Sequence, residues 1–96
     1  MMHTVSVGEE VTVFTAQALW AQWKPLLEAE SEICFDCRDL NEFDSCGAQL
    51  FYFIVSHYAQ KQQCIVRFSQ VPDEILEDLA SLNMQGIVTD TVPKEA

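Results

Sequence analysis

Apolar and polar residues alternate from His3 to Val7 and again from Val11 to Phe14, with Gly8-Glu9-Glu10 between them. A period of two is the mark of a half-buried strand. Two such runs around a glycine-containing gap predict a β-hairpin. The period then lengthens. Leu19, Trp20, Trp23 and Leu27 fall on one helical face behind Thr15, a suitable N-cap, which predicts a helix over 16–28. Pro25 removes a backbone donor, so it should kink this helix or mark its last turn. Glu32 to Cys37, EICFDC, reads as a strand covered on both faces, and Arg38 to Phe43 as the loop after it. A long apolar run predicts a second helix over 46–60, and CIVRF, residues 64–68, predicts another strand. Pro72 suits the first turn of a third helix over 72–83. Its buried stripe would be Ile75, Leu79 and Leu82, with Leu76 and Ala80 beside it. Gly86 ends the pattern. Ile87 and Val88 read as an edge strand, and residues 89–96 as a flexible tail.

The order ββ-α-β-α-β-α predicts an α/β domain. Strands linked by helices imply a partly parallel sheet with right-handed crossovers. A chain of 96 residues supports a single domain, here with its core over about 5–85. In such sheets the functional corner lies where a strand ends and a helix begins. The stretch Asp44-Ser45-Cys46-Gly47 is that kind of place.

Charge narrows the function. The formal net charge is −10, so nothing here could neutralise the phosphates of a nucleic acid or an anionic membrane surface. The balance favours a protein partner or simple solubility. The sequence opens without a basic and then apolar leader, and no run approaches the ~18 apolar residues of a membrane span. A cytoplasmic protein with reduced thiols at Cys34, Cys37, Cys46 and Cys64 is therefore expected, without membrane insertion.

The corner reads in two ways. Ser45 can cap the helix by accepting a backbone N–H. A phosphate placed there would be favoured by the helix N-terminus and opposed by the nearby Asp39, Glu42 and Asp44. Behind it, Gly47, Leu50, Phe51, Ile54 and Tyr58 share a core face, while Gln49, Tyr52, Phe53, Ser56 and Gln60 face away. Tyr52 and Phe53 should be partly exposed, as on a docking surface. The apolar run would then serve two surfaces, and a homodimer through this helix stays open.

Catalytic and metal chemistry find little support. Cys34 and Cys37 have zinc-knuckle spacing, but no second pair follows, and in one strand they point to opposite faces. The same geometry speaks against a redox pair unless the strand ends before Cys37. Cys46 reads as a small inert residue and His57 as a packed one. No nucleophile motif and no glycine-rich phosphate loop occurs. A protein without enzymatic activity, metal or cofactor is expected.

Three stretches together resemble the STAS domain family, which includes bacterial anti-sigma-factor antagonists. VTVFTAQALWAQWKPLL resembles its strand-turn-helix opening. ICFDCRDLNEFDSCGAQLF resembles its central strand, acidic loop and D-S/T-x-G corner. CIVRFSQVPDEILEDLASLNM resembles its closing strand and helix. The resemblance covers residues 5 to 85 and implies a stand-alone member with a STAS-like mixed sheet of about four to five strands and three or more helices. It also implies a partner switch without catalysis: a kinase-like ATPase partner phosphorylates the corner hydroxyl and is thereby released. Carried over, Ser45 is the phosphoacceptor, with Asp44, Cys46 and Gly47 forming the corner. Gln49, Tyr52, Phe53 and Ser56 would be the partner-binding residues. Other members are constitutive subunits of a phospholipid-transport ABC complex or accompany chemotaxis proteins. In that alternative Ser45 is contact and helix cap. Cys46 stands where the family commonly has serine, alanine or threonine.

Overall fold

The computed structural model describes residues 3–59, 61, 64–84 and 86. Its elements run β1 (His3–Ser6), β2 (Glu10–Val11), α1 (Ala16–Ala29), β3 (Glu32–Asp36), β4 (Glu42–Phe43), α2 (Ser45–Ile54), a π-helical turn (Val55–Ala59), β5 (Ile65–Ser69) and α3 (Asp73–Ser81). Among the described residues there are five strands and three α-helices in an α/β arrangement, the fold class that the sequence predicts. The strands form a three-stranded sheet in the order β1-β3-β5 and a two-stranded one, β2-β4, with every ladder among the described residues parallel.

The first two strands do not form the expected hairpin. β1 lies beside β3, pairing His3 with Ile33 and Ser6 with Asp36, and Val7 extends this pairing by donating to the Asp36 carbonyl. Gly8, at φ 83°, then turns the chain away, and Glu9 accepts from Asn41 and Glu42. This sets β2 beside β4, a short strand within the segment expected to be loop. Alternation reports a strand's two faces and is silent on its neighbour, so it does not give the pairing.

One face of the main sheet carries the core. Val5, Phe35 and Phe68 lie in register across β1, β3 and β5, next to the Ile33–Val66 pair. The helices pack here through Trp23 and Leu27 of α1, Phe51 and Ile54 of α2, and Ile75 and Leu79 of α3. An aromatic series crosses the interior: Trp23 to Phe35 at 4.9 Å, Phe35 to Phe68 at 5.6 Å, Phe68 to Phe51 at 4.7 Å and Phe51 to Phe43 at 5.4 Å. Each such ring is worth ~1.5–3 kcal/mol by burial, so the series also stabilises the corner where Phe43 stands.

The opposite face is open, so β3 is not covered on both sides as expected. Its outward residues are Glu32, Cys34 and Asp36, flanked in register by Thr4, Ser6, Ile65, Arg67 and Ser69. These are exposed or half-exposed except Cys34, which Thr4 and Arg67 flank. Arg67 pairs with Glu32 across this surface at 2.9 Å.

The helices depart from expectation at their ends. α1 passes through Pro25 and reaches Ala29; Ala21, whose carbonyl loses its helical donor there, is exposed and can bond water. The second helix starts at Ser45 and changes to π geometry after Ile54; the 46–60 prediction extends to residue 60, outside the described residues. Pro72 is the N-cap of α3 rather than part of its first turn. Leu82 is 40% exposed and not part of the buried stripe. The helix ends before it in a Schellman turn: Asn83 takes φ 59°, and Met84 N–H donates to the Leu79 carbonyl at 2.7 Å. The edge strand at 87–88 and the tail at 89–96 also lie outside the described residues. Among the described residues no helix is long and apolar enough to cross a membrane.

Candidate functional site

The site is built where β4 gives way to α2. The four first N–H groups of a helix have no partner within it, and a carboxylate just before the helix answers them well. Asp44 takes that place. Its Oδ1 accepts from Gly47 N–H at 3.0 Å, and its Oδ2 accepts from Val13 N–H at 3.0 Å. The Val13 bond, more than any other, holds the Asp44 carboxyl below its ordinary value, and the Gly47 bond acts in the same sense. The cap is thus Asp44 and not Ser45, which corrects the cap role allowed for the serine. Ser45 is one residue further on, exposed, and its hydroxyl makes no hydrogen bond among the described residues.

Gly47 is fixed by packing. A Cβ there would overlap the Val11 carbonyl oxygen and stand 3.0 Å from the Phe43 ring. Only glycine lets the start of α2 lie this close to β2. Cys46 is half-buried beside it.

From the corner an exposed stripe runs along α2. Ser45, Gln49, Tyr52 and Ser56 follow at intervals of four, three and four residues, which places them on one face. Tyr52 is 54% exposed. Ser56 is half-buried and donates its hydroxyl to the Tyr52 carbonyl at 2.9 Å. Phe53, 44% exposed, lies to one side. It meets the Trp20 ring edge-on at 5.3 Å and stacks on His57 at 5.1 Å. The structure thus brings Ser45, Gln49, Tyr52 and Ser56 together and ties Phe53 partly into the α1–α2 contact.

Two features of the site have no signal in the apolar pattern of the sequence. A cleft opens between the corner and α3, lined by Phe43, Asp44, Ser45, Asp78, Ser81 and Leu82. Bonded to Asp44, the turn 12–15 presents Val13 and Phe14, 57% and 88% exposed. The alternation of Val11 to Phe14 suggested a strand, but two threonines three apart were the better signal. Thr15 Oγ1 accepts from Thr12 N–H at 3.0 Å, and Thr12 Oγ1 accepts from Phe14 N–H at 3.2 Å. Such side chain to backbone bonds close a turn. The cleft joins residues more than 30 positions apart, and no local pattern announces it.

Burial governs the Cys37 thiol. β3 does end before Cys37, so strand geometry no longer separates it from Cys34. Burial instead pushes the Cys37 thiol up to about 12, with the Asp36 carboxylate adding to the effect, so it stays protonated near neutrality. Among the described residues no three His, Cys, Asp or Glu side chains gather as a metal site would require.

The chain matches the family described as "Mlab, STAS domain" over residues 2–89. Comparison with curated proteins gives no match.

Proposed function

This chain belongs to the STAS domain family, and from that premise we propose that it is a non-catalytic regulatory docking module whose partner reads α2 and the π-helical turn after it, from Ser45 to Ser56. One observation carries the reading. The exposed stripe on α2 begins at a hydroxyl that the fold does not use, because Asp44 supplies the cap. Ser45 is therefore available to a partner without cost to the helix. The cleft toward α3 and the exposed Phe14 and Leu82 widen the surface around it.

Control acts at Ser45. A kinase-like ATPase partner transfers the terminal phosphoryl group of its nucleoside triphosphate to Oγ; the hydroxyl proton is lost and the diphosphate leaves. The new charge stands beside Asp44, with Asp78 across the cleft, and the sequence from Asp39 to Gln60 holds no lysine or arginine to answer it. A partner closing over the corner must desolvate that unpaired charge, so it is released. The second reading is a constitutive subunit of a transporter or chemotaxis assembly, with the hydroxyl as a direct contact. The partner purified with the chain from its native cells separates the two. Partner switching requires Ser45→Asp to bind weakly and Ser45→Ala to bind well; direct contact reverses the order.

A further inference from the structure

Asp44 joins two parts of the docking face. One oxygen holds the start of α2 and the other holds Val13, 31 residues earlier in the chain. The turn 12–15 is otherwise bonded within itself and to its chain neighbours in β2 and α1. Thr15 Oγ1 donates to the Glu10 carbonyl at 3.1 Å, and Thr12 Oγ1 donates to Glu10 Oε2 at 2.6 Å. Among the described residues, the Val13–Asp44 bond is the one hydrogen bond from this turn to the α2 corner. The turn carries Phe14, the most exposed of the large apolar side chains described.

We propose that Asp44 is a positioning residue that couples Ser45 to Phe14: a negative charge on Ser45 pushes the Asp44 carboxylate off Val13 and shifts the turn that presents Phe14. This rests on the docking reading above and supplies its regulation. A new anion at position 45 competes with Asp44 for the free N–H groups of α2. It also repels Asp44 from the adjacent residue. The titratable groups on the elements around Asp44 are Glu10 on β2, Glu42 on β4, Cys46 and Tyr52 on α2, and Asp73, Glu74, Glu77 and Asp78 on α3, of which Asp78 lines the cleft with it. None is a cation that could absorb the added charge. The clamp holds while Asp44 is ionised and opens as acid protonates it, because its folded value lies below its ordinary one.

Amide spectra of the isotopically labelled full chain test this without any partner. In the parent protein, Val13 and Gly47 amides should move together on acidification with a single midpoint. Ser45→Asp should displace the Val13 and Phe14 amides and raise that midpoint by about one unit. Ser45→Asn, the neutral isostere, should leave both near the parent positions. In the Asp44→Asn background, Ser45→Asp should no longer move Val13 or Phe14. Equal movement with and without Asp44, or a response confined to residues 45–48, overturns the coupling. If Asp44→Asn fails to fold, the parent titration decides: separate midpoints for Val13 and Gly47 overturn it. These readouts are independent of binding. A coupling that holds while Ser45→Asp leaves partner affinity unchanged would remove the switch reading alone.

Discussion

Gly47 and Cys37 show how single residues set the limits of the corner and the core. Gly47→Ala places a methyl group against the Val11 carbonyl and the Phe43 ring. Backbone cannot retreat as a flexible side chain can, so the change should cost ~1–3 kcal/mol, the usual range for overpacking. Urea unfolding measures it, and a loss below ~0.5 kcal/mol would mean that α2 and β2 slide apart easily. Cys37 acts through pH. Its folded value is raised, from an ordinary 9.0 to about 12. A raised value gives a contribution that is fully present below pH 9 and is lost as pH rises toward 12. Stability should fall by up to ~1.4 kcal/mol per pH unit across that window from this group. Cys37→Ala should flatten the slope, even though it starts from lower stability. An unchanged slope would show that the thiol ionises without unfolding.

Among the elements, α2 was the most legible and the hairpin the least. The 3.6-residue period placed Phe51, Ile54 and Tyr58 in the core and left Tyr52 and Phe53 outside, as found. Periodicity could not show that Phe53 leans on Trp20 and His57, because that contact joins two helices. The two aromatics should therefore differ. Tyr52→Ala should move stability by ~0.5 kcal/mol or less, as surface changes do. Phe53→Ala loses two ring contacts, each aromatic pair being worth ~0.5–1.5 kcal/mol beyond its area. Thermal melts of both variants check the contrast; equal losses would place Tyr52 in a contact that the structure lacks. The Asp44 cap was hidden for a related reason. Aspartate and serine are adjacent and both cap well, so spacing alone could not choose. The Val13 bond, reaching back 31 residues, marks Asp44 as the residue that holds the turn.

At the scale of the whole molecule, the open sheet face and the proposed docking face lie on different elements. Apart from the exposed Ile65, the open sheet face is polar and ion-paired, with Arg67 on Glu32 and Arg38 on Asp36. The corner, α2 and α3 hold acids, hydroxyls and exposed apolar residues. The α/β order and the position of the corner were readable from period changes along the chain. The cleft and the Phe14 turn were not, because each depends on contacts between distant segments. The docking claim is tested most directly by the dissociation constants of Ser45→Asp and Ser45→Ala against the partner purified from native cells. An aspartate buried unpaired under the partner should weaken binding at least about tenfold, or ~1.4 kcal/mol, while alanine stays within about threefold of the parent. Binding by Ser45→Asp as tight as the parent's, with Ser45→Ala the weaker variant, would contradict the switch and make the hydroxyl a static contact.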